Sequence, residues 1–304
     1  MSETHRSGFV SLIGRPNAGK STLLNALVGQ KVAIVADKPQ TTRTSIQGVV
    51  TLPDAQIVFL DTPGIHKADT PLNKRLMDTV RGALEERDLL LFVVDAARKF
   101  TEDDRRAVDL AKKTGAPVVV VLNKIDLVRE KAQLLPLIEE YKRLYDFADF
   151  VPVSAQRGRH LDDLRKVIVS FLPEGPPYFP PDHVTDQPWR FLAAELIREK
   201  VLQATHQEVP HAINVMVDKW EETPRLTRIF ATIRVERDGQ KAIIIGSKGS
   251  MLKQIGTLAR QEIERLSGTK VYLDLHVRVQ PGWREDAAFL NTIDWRTMAG
   301  KDDV

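Results

Sequence analysis

The stretch that most constrains the fold of this chain runs from Gly14 to Ser21, with the sequence GRPNAGKS. It fits the pattern G-x-x-x-x-G-K-[ST], in which glycines let successive backbone NH groups wrap around phosphate groups. An apolar run at 8–13 precedes the stretch and a run typical of a helix follows it at 21–28, so the helix dipole adds to the NH groups. The stretch predicts a nucleoside triphosphate site in which Lys20 reaches the β and γ phosphates and Ser21 ligates Mg²⁺. The alternative is an ordinary glycine-containing turn.

Length and composition indicate a folded chain of about two domains. Its 304 residues are 42% hydrophobic and 28% charged, and 44 basic residues against 41 acidic ones give a net charge of +3, too small to indicate a partner. The absence of cysteine excludes disulfides and thiolate metal sites and fits a reducing cytosol. The start has no apolar core of a signal peptide, and no apolar run approaches the ~18 residues of a spanning helix. The seven histidines are scattered without metal-site spacing, so we interpret them as surface or core residues.

Strand and helix patterns alternate after the first helix, which favours an α/β, doubly wound fold. Two strand patterns, 46–52 and 56–60, predict an antiparallel hairpin. The strand patterns at 89–95 and 117–122 contain continuous apolar runs, 89–94 and 118–122, as expected of strands covered on both faces. The remaining patterns predict a strand at 150–153 and helices at 72–87, 102–114, 130–145 and 160–171. In such folds, ligands bind beyond the carboxyl ends of the strands.

The strand at 56–60 is followed by the tetrapeptide DTPG, from Asp61 to Gly64. Pro-Gly alone marks any turn. The position, about forty residues beyond Lys20 and at a strand end, places the carboxylate at the edge of the sheet that carries the phosphate loop. We therefore expect Asp61 to hold Mg²⁺ through water.

Two further strands end in polar clusters, NKID from Asn123 to Asp126 and SA at 154–155. The Asp126 carboxylate can accept from both N1–H and the 2-amino group of guanine, whereas adenine has no 2-amino group. Asn123 can tie this loop to the phosphate loop, the Lys124 stem can cover the ring, and a backbone NH near Ala155 can meet O6. The clusters predict guanine as the base; the alternative is a polar turn at a strand end.

Residues 8–172, which contain these motifs, resemble the G domain of translation-factor-related GTPases. The resemblance implies that a switch-loop threonine completes the Mg²⁺ shell, and we assign this role to Thr42, with Thr41 as the alternative. Ile65 stands where small signalling GTPases carry the glutamine that orients the attacking water, which places the chain in a branch where an asparagine of the loop, here Asn17, helps to bind K⁺. The resemblance thus assigns catalytic roles to Lys20, Thr42 and Asn17, and metal ligation to Ser21, Thr42 and Asp61. The expected nucleotide-binding residues are Gly14, Arg15, Pro16, Asn17, Ala18, Gly19, Lys20, Ser21, Thr22, Asp61, Thr62, Pro63, Gly64, Ile65, Asn123, Lys124, Ile125, Asp126, Ser154 and Ala155.

The composition changes abruptly at 173–188, where six of sixteen residues are proline. Proline-rich segments are semi-rigid spacers. We interpret this stretch as a linker between two domains.

The chain after the linker contains a second glycine motif, GSKG from Gly246 to Gly249. It lies between two helical patterns, after strand patterns at 212–220 and 228–235 and before one at 271–279. Between 241 and 270 there are six basic and two acidic residues, which is typical of a nucleic-acid-binding face, although lysines also form solvated surfaces. The pattern resembles a KH domain of the bacterial type, type II, a small α+β RNA-binding fold whose loop clamps about four nucleotides. The expected RNA-binding residues are Lys241, Gly246, Ser247, Lys248, Gly249 and Lys253.

The helical pattern that opens this second domain, 189–205, is amphipathic. Its apolar residues Phe191 and Leu196 and its acidic residues Glu195 and Glu199 fall on different faces. We therefore expect a helix with one apolar face and one charged face.

The whole chain resembles the Era-like GTPases of bacteria, with a G domain at 1–172, the linker at 173–188, a KH domain at 189–285 and a tail at 286–304. The resemblance implies a GTP-hydrolysing switch, with GTP and GDP as ligands, that binds the 3′ end of 16S ribosomal RNA and assists maturation of the small (30S) subunit. It also implies a cytoplasmic protein with peripheral attachment to the cytoplasmic face of the inner membrane, although 294–304 shows no membrane-binding pattern; no protein partner is identifiable. A tRNA-modifying GTPase would need a further catalytic domain and often a cysteine. An RNA-binding protein that uses GTP only to hold its shape is the other alternative.

Overall fold

The structure, a computed structural model, describes residues 5–38, 40–65, 70–85, 87–206 and 209–293. These residues fall into two compact units. The first unit contains the described residues of 5–33, 42–65 and 73–186, and the second contains those of 34–41, 70–72 and 187–293. Each unit has its own buried apolar core.

A six-stranded sheet in the order β2-β3-β1-β4-β5-β6 forms the centre of the first unit. Strand β2 is antiparallel to β3, and the other neighbours are parallel. The predicted hairpin and the predicted doubly wound architecture are therefore confirmed. The strands are β1 (Arg6–Ile13), β2 (Ile46–Thr51), β3 (Ala55–Asp61), β4 (Leu89–Asp95), β5 (Val118–Asn123) and β6 (Asp149–Pro152). All residues of β4 and β5 are buried, as their apolar sequences predict.

In the described part of the first unit, four α-helices connect the strands of this sheet and a fifth follows β6. They are α1 (Lys20–Val28), α2 (Pro71–Leu84), α3 (Glu102–Ala111), α4 (Leu134–Lys142) and α5 (Leu161–Phe171). Helix α4 is shorter than the pattern at 130–145 predicts, since Lys131–Gln133 forms a separate 3₁₀ turn before it. The parallel strands therefore all deliver their carboxyl ends to one edge of the sheet.

The proline-rich segment lies against β2 and β3 of the first unit. Gln56 is completely buried; its Oε1 accepts from the NH groups of Tyr178 and Phe179 at 2.7 and 2.9 Å, and its Nε2 donates to the Phe179 carbonyl at 2.8 Å. Further along, the Val49 NH donates to the Val184 carbonyl at 2.8 Å. The segment up to residue 186 accordingly belongs to the first compact unit.

The second unit has a three-stranded sheet in the order β7-β8-β9, with β7 antiparallel and β9 parallel to β8. Its elements are α6 (Trp189–Ala204), β7 (Asn214–Thr223), β8 (Leu226–Val235), α7 (Asp238–Ile245), α8 (Ser250–Ser267), β9 (Val271–Val279) and α9 (Ala287–Asn291). Up to β9 the order is α-β-β-α-α-β, which confirms the predicted KH arrangement. Helices α6 and α8 and the sheet share one apolar core.

Helix α6 is buried on more sides than its sequence predicts. Phe191 and Leu196 are buried, but so are Arg198 and Glu199, each 1% exposed. The expected charged face is therefore wrong at Glu199. Its Oε2 pairs with Lys200 at 2.8 Å and its Oε1 accepts from the Val35 NH at 2.7 Å, so the carboxylate is covered by a chain segment far away in sequence.

The chain after β9 packs back onto the second unit. Trp283 is fully buried, its Nε1 donates to the Ala212 carbonyl at 3.0 Å, and its ring meets that of Phe289 edge to face at 5.6 Å. The first part of the expected tail thus forms α9, while 294–304 lies outside the described residues. None of the helices in the described ranges is both long enough and apolar enough to cross a membrane.

Candidate functional site

The loop between β1 and α1 has a backbone that requires glycine at two positions. Gly14 has a φ of 147°, and a Cβ there would lie 2.3 Å from the Val93 carbonyl oxygen. Gly19 has a φ of 94°, and a Cβ there would lie 2.4 Å from Nδ2 of Asn123. Asn17, between them, also has a positive φ, 61°. The loop therefore wraps tightly against β4 and against Asn123, at the end of β5, before it enters α1.

Lys20, the first residue of α1, lies buried inside this loop. Its Nζ donates to the carbonyl oxygens of Gly14 and Arg15 at 3.1 and 3.2 Å. Burial lowers the pKa of Lys20 to about 8, and the charge of the nearby Asp61 carboxylate opposes that shift. A phosphate oxygen could replace these carbonyls as a stronger acceptor for the ammonium group.

Arg15 turns its side chain away from the inside of the loop. Its guanidinium donates to Asp104 at 3.1 Å, and Asp104 in turn accepts from the NH and hydroxyl of Thr101 just before α3. Arg15 is thus held as a buried ion pair beneath the loop. Only its backbone remains to face a phosphate.

Three side chains from separate elements converge beside Lys20. Ser21 Oγ donates to Asp61 Oδ2 at 2.5 Å and lies 2.9 Å from Thr42 Oγ1, and Thr42 Oγ1 also donates to Asp61 Oδ2, at 3.4 Å. Burial raises the pKa of the Asp61 carboxyl, and the Lys20 charge and the hydroxyl hydrogen bonds oppose the rise. Among the described residues, Oδ1 of Asp61 has no hydrogen-bond donor although it is buried. Two hydroxyls and an orphaned carboxylate oxygen form a donor set that suits Mg²⁺. Thr41 is not part of this group, because its hydroxyl donates to the Lys38 carbonyl at 2.6 Å.

The segment after Asp61 approaches the loop through its backbone. A Cβ on Gly64 would lie 2.9 Å from Cα of Pro16, and the Ile65 NH donates to the Gly14 carbonyl at 3.3 Å. The Ile65 side chain is 3% exposed and packs in the core with Val80. It therefore does not point toward a phosphate. The Thr62 hydroxyl likewise faces the sheet, where it donates to the Leu12 carbonyl.

The predicted base-binding residues are brought together at the ends of β5 and β6. Asn123 Nδ2 donates to the Ala18 carbonyl at 3.0 Å and its Oδ1 accepts from the Ala155 NH at 3.1 Å. Asn123 thus contacts the phosphate loop, as expected, and in addition accepts from the Ala155 NH that was expected to meet O6 of the base. Asp126 Oδ1 accepts from the Ser154 hydroxyl at 2.5 Å, which orients its carboxylate.

Sequence reasoning missed one residue of this site, Asp95. It ends β4, is 3% exposed, and pairs with Lys124 Nζ at 2.8 Å, while the same Nζ donates to the Asn17 carbonyl at 2.7 Å. Asp95 therefore fixes the Lys124 side chain against the phosphate loop. The signal for it was an acidic residue that ends an otherwise apolar strand at the ligand edge of the sheet.

A second candidate site lies at the glycine motif of the second unit. Gly246 has φ 71° and ψ 178°, and a Cβ there would lie 2.7 Å from Cβ of Met251. Lys248 and Gly249 also have positive φ values, 50° and 79°, but a Cβ on Gly249 would meet nothing within 4 Å. The motif therefore makes a tight turn whose far end, Gly249, faces open space at the start of α8.

An open groove of about 380 Å³ extends from Gly249 between α8 and β9. Leu273 and Leu275 of β9 line one side, and Lys253 and Arg260 of α8 line the other. An apolar floor beside basic side chains suits bases and a phosphate backbone, respectively. Lys241 lies on α7, outside this lining.

Comparisons with known proteins cover both units. A family model described as 50S ribosome-binding GTPase matches residues 9–124, and one described as KH domain matches 208–284. The chain is 52% identical over 292 residues to the GTPase Era of Geobacter metallireducens, covering 95% of this chain and 98% of that one. It is 51% identical over 286 residues to the GTPase Era of Geotalea uraniireducens, covering 94% and 96%.

Two solved structures are similar along nearly the whole chain. One is an Aquifex aeolicus Era variant bound to GDP·AlF4⁻, with a TM-score of 0.92, 42% identity, and coverage of 95% of this chain and 99% of that one. The other is Era in complex with MgGDPNP and nucleotides 1506–1542 of 16S ribosomal RNA, with a TM-score of 0.92, 42% identity, and coverage of 96% and 99%.

Proposed function

The chain belongs to the Era family of GTPases and therefore binds and hydrolyses GTP, and from this we propose that it is a switch that binds the 3′ end of 16S ribosomal RNA and assists maturation of the small ribosomal subunit. The observation that carries the proposal is the pairing, in one chain, of a guanine-type nucleotide site with a basic KH groove. The similarity to a structure that holds MgGDPNP and a 16S rRNA segment covers 96% of this chain, so both sites fall within it.

The phosphates would lie in the loop from Gly14 to Thr22, held by its backbone NH groups and by Lys20 Nζ. Support comes from Gly14 and Gly19, where neighbouring atoms leave no room for a side chain. It also comes from the buried Lys20 ammonium group, which donates to the carbonyl oxygens of Gly14 and Arg15. Because Arg15 is paired with Asp104, we assign it a backbone role.

We propose Ser21, Thr42 and Asp61 as the residues that hold Mg²⁺, directly or through water. The mutual contacts of the three side chains and the orphaned Oδ1 of Asp61 support this assignment, and the contact of Thr42 with Ser21 favours it over Thr41. When bound, the ion neutralises charge on the β and γ phosphates. The hydroxyls and the carboxylate orient it.

Hydrolysis would depend on Lys20, Thr42 and Asn17. With the Ile65 side chain in the core, that position cannot orient the attacking water. We propose that K⁺, bound near Asn17 and the β and γ phosphates, supplies charge stabilisation that an arginine would give elsewhere.

Guanine selection would be carried by the Asp126 carboxylate, held by Ser154. In Asp126→Asn the amide can donate to the 2-oxo group of xanthine, so we expect preference to move from GTP to XTP, by a factor that can reach ~10⁴ for a site built around one polar group. Competition of GTP and XTP for the nucleotide site measures this. The matched control is Asp162→Asn, an exposed aspartate paired with Arg165 at the start of α5. An unchanged preference in Asp126→Asn would contradict the assignment.

RNA would bind in the groove of the second unit. Gly246, Ser247, Lys248 and Gly249 would clamp the backbone, and Lys253 would contact phosphate at the groove wall. Lys241 would add positive charge from α7 without lining the groove. Crosslinking of the chain to 16S rRNA identifies the bound segment, and crosslinks that map away from the 3′ end would contradict the proposed partner.

A second candidate, an RNA-binding protein that uses GTP only to hold its shape, predicts no effect of RNA on turnover. GTP hydrolysis measured with and without the 3′-end RNA separates it from a switch. We also propose a cytoplasmic location, where small subunits mature. The proposed domain bounds are 1–172 for the G domain, 173–188 for a linker that packs on the first unit as far as residue 186, 189–285 for the KH domain and 286–304 for the tail. Peripheral membrane attachment rests on the family resemblance alone.

A further inference from the structure

The side chain of Arg15 ties the phosphate loop, which precedes α1, to the start of α3. Its NH1 donates to Asp104 Oδ2 at 3.1 Å and to Thr101 Oγ1 at 3.4 Å. Both charged side chains are nearly closed off from solvent, with 10% of the Arg15 side chain and 2% of the Asp104 side chain exposed. Tyr141 of α4 is also completely buried, and burial together with the charge of Asp104 raises the pKa of its hydroxyl. The ion pair therefore lies inside the first unit and not on its surface.

The Asp104 carboxylate is held in place by α3 itself. The oxygen that accepts from Arg15, Oδ2, also accepts from the NH and the hydroxyl of Thr101 at 2.9 and 2.7 Å. These bonds fix the carboxylate at the first turn of the helix. Further along α3, Ala107 and Val108 are buried in the core of the first unit. The acceptor for Arg15 thus belongs to a helix that is itself fixed by core packing.

The backbone of Arg15 is the point at which the phosphate loop closes on itself. Its carbonyl oxygen accepts from Lys20 Nζ at 3.2 Å and from the Ala18 NH at 3.4 Å. The second half of the loop is held from outside by Asn123, which donates to the Ala18 carbonyl at 3.0 Å. The Arg15 side chain holds the first half in the same way. Because peptide units are rigid planes, a displacement of Arg15 would turn the NH groups that follow it.

Neither phosphate binding nor stability requires an arginine at this position. The phosphate-loop pattern leaves residue 15 open. A buried ion pair returns in attraction about what its removal from water costs, so well-packed apolar side chains would stabilise the contact at least as well. What the pair adds is a fixed geometry, because a guanidinium is planar and donates in set directions.

We propose that Asp104 is a positioning residue for nucleotide binding, which holds the backbone of the phosphate loop in place through Arg15. The inference rests on the proposed placement of the phosphates in this loop. It adds a residue of α3, remote in sequence from the nucleotide motifs, to the groups on which nucleotide affinity depends.

The first test is Arg15→Met, which removes the guanidinium but leaves Asp104 with its bonds from Thr101. We expect affinity for GDP and for a non-hydrolysable GTP analogue to fall by a similar factor, roughly tenfold or more, because the loop surrounds phosphates that both nucleotides carry. The KM for GTP should rise with a smaller change in kcat, since these loop contacts are alike in the ground state and the transition state. Fluorescence titration gives the affinities, and urea unfolding shows whether each variant is folded under the same conditions.

The matched control is Asp103→Asn in the same helix. It removes the pair of Asp103 with Arg106, 2.7 Å apart and partly exposed to solvent, and has no contact with the loop to lose. We expect it to bind both nucleotides like the parent. A loss equal to that of Arg15→Met would show that any weakening of α3 lowers affinity, and would overturn the positioning role.

A double-mutant cycle with Asp104→Asn tests whether Asp104 acts through Arg15. The asparagine keeps an acceptor for the Thr101 NH but removes the charge. We expect each single variant to weaken GDP binding and the double variant to lose no more than Arg15→Met alone. Additive losses, or GDP affinity within about twofold of the parent in Arg15→Met, would overturn the inference. Should Asp104→Asn not fold, because it leaves the Arg15 charge buried without a carboxylate, Arg15→Met and the double variant still decide between these outcomes.

Lys20→Met separates this inference from the site assignment beneath it. If Lys20→Met binds GDP like the parent, the proposed placement of the phosphates is wrong and the inference fails with it. Weakened binding in Lys20→Met together with parent-like binding in Arg15→Met would overturn the role of Asp104 alone.

Discussion

The prediction that bears most directly on RNA binding is Gly249→Asp. Gly249 is the residue before α8, with φ 79° and ψ 10°, and a Cβ there meets nothing within 4 Å. Aspartate tolerates this left-handed conformation at a cost of about 1 kcal/mol or less, and a carboxylate at a helix N-terminus returns about 0.3–1 kcal/mol. We therefore expect the free energy of unfolding to stay within about 1 kcal/mol of the parent.

RNA affinity should change far more than stability. The new carboxylate would face the phosphate backbone clamped by the motif, and two negative charges 4–6 Å apart repel by about 3–4 kcal/mol at an effective dielectric constant near 20. Salt screening over a Debye length of about 8 Å reduces this repulsion. A net loss of about 2 kcal/mol corresponds to roughly thirtyfold weaker binding.

Gly268→Asp is the matched control. Gly268 ends α8 with φ 70° and ψ 4°, and a Cβ there also meets nothing within 4 Å. The conformational cost is the same, but a carboxylate at the helix C-terminus is unfavourable by about 0.3–1 kcal/mol, so this variant should be the less stable of the two. It should nevertheless bind RNA like the parent.

The assay is equilibrium binding of a fluorescent oligonucleotide with the 16S 3′-end sequence, together with urea unfolding and GTP binding for each variant. GTP affinity should not change in either. Parent-like RNA binding by Gly249→Asp would refute the proposed RNA-binding role of the glycine motif, and an equal loss in Gly268→Asp would show that stability, not the groove, governs affinity.

Two further predictions concern the nucleotide site. GTP hydrolysis should be faster in K⁺ than in Na⁺ at one ionic strength, and Asn17→Ala should abolish the difference; equal parent rates in the two salts would point to a group supplied in trans. The pKa of Lys20 falls from 10.5 to about 8 on folding, so the unfolded chain binds more protons than the folded one between these pH values. The free energy of unfolding of the ligand-free protein should therefore rise with pH across that window, by up to about 3 kcal/mol. Lys20→Met should lack this rise in denaturant unfolding at pH 8 and 10, and a rise equal to that of the parent would assign it to another group.

Local sequence patterns were sufficient to predict those elements whose structure depends mainly on residues close by in the chain. Strands β4 and β9 have the predicted bounds, 89–95 and 271–279, because the apolar runs or alternations end in polar residues. The phosphate loop could be predicted because its glycines have a local conformational purpose. The positive φ values of Gly19 in this loop and of Gly246 in the second glycine motif, 94° and 71°, are of that kind.

Long-range partners were beyond the reach of the same reasoning. Glu199 has the spacing of a solvent-facing helix residue, and its burial depends on Val35, far away in the chain. The role of Asp95 depends on Lys124, which follows a different strand. Periodicity shows which side chains share a face but not what covers that face, so the packing of Ile34 and Val35 on α6 could not be predicted.

The proline-rich segment has a consequence for the solubility of the chain. Strand β2 is the last strand on one side of the first sheet, and an open strand edge is a template for pairing with another chain and for aggregation. Val184 takes up one of its NH groups, and the prolines at 180 and 181 have no NH with which to extend the ladder. The segment thus ends the sheet without offering a new edge. A chain cut after residue 172 would expose β2, so we expect the first unit to remain monodisperse only when it extends to residue 186.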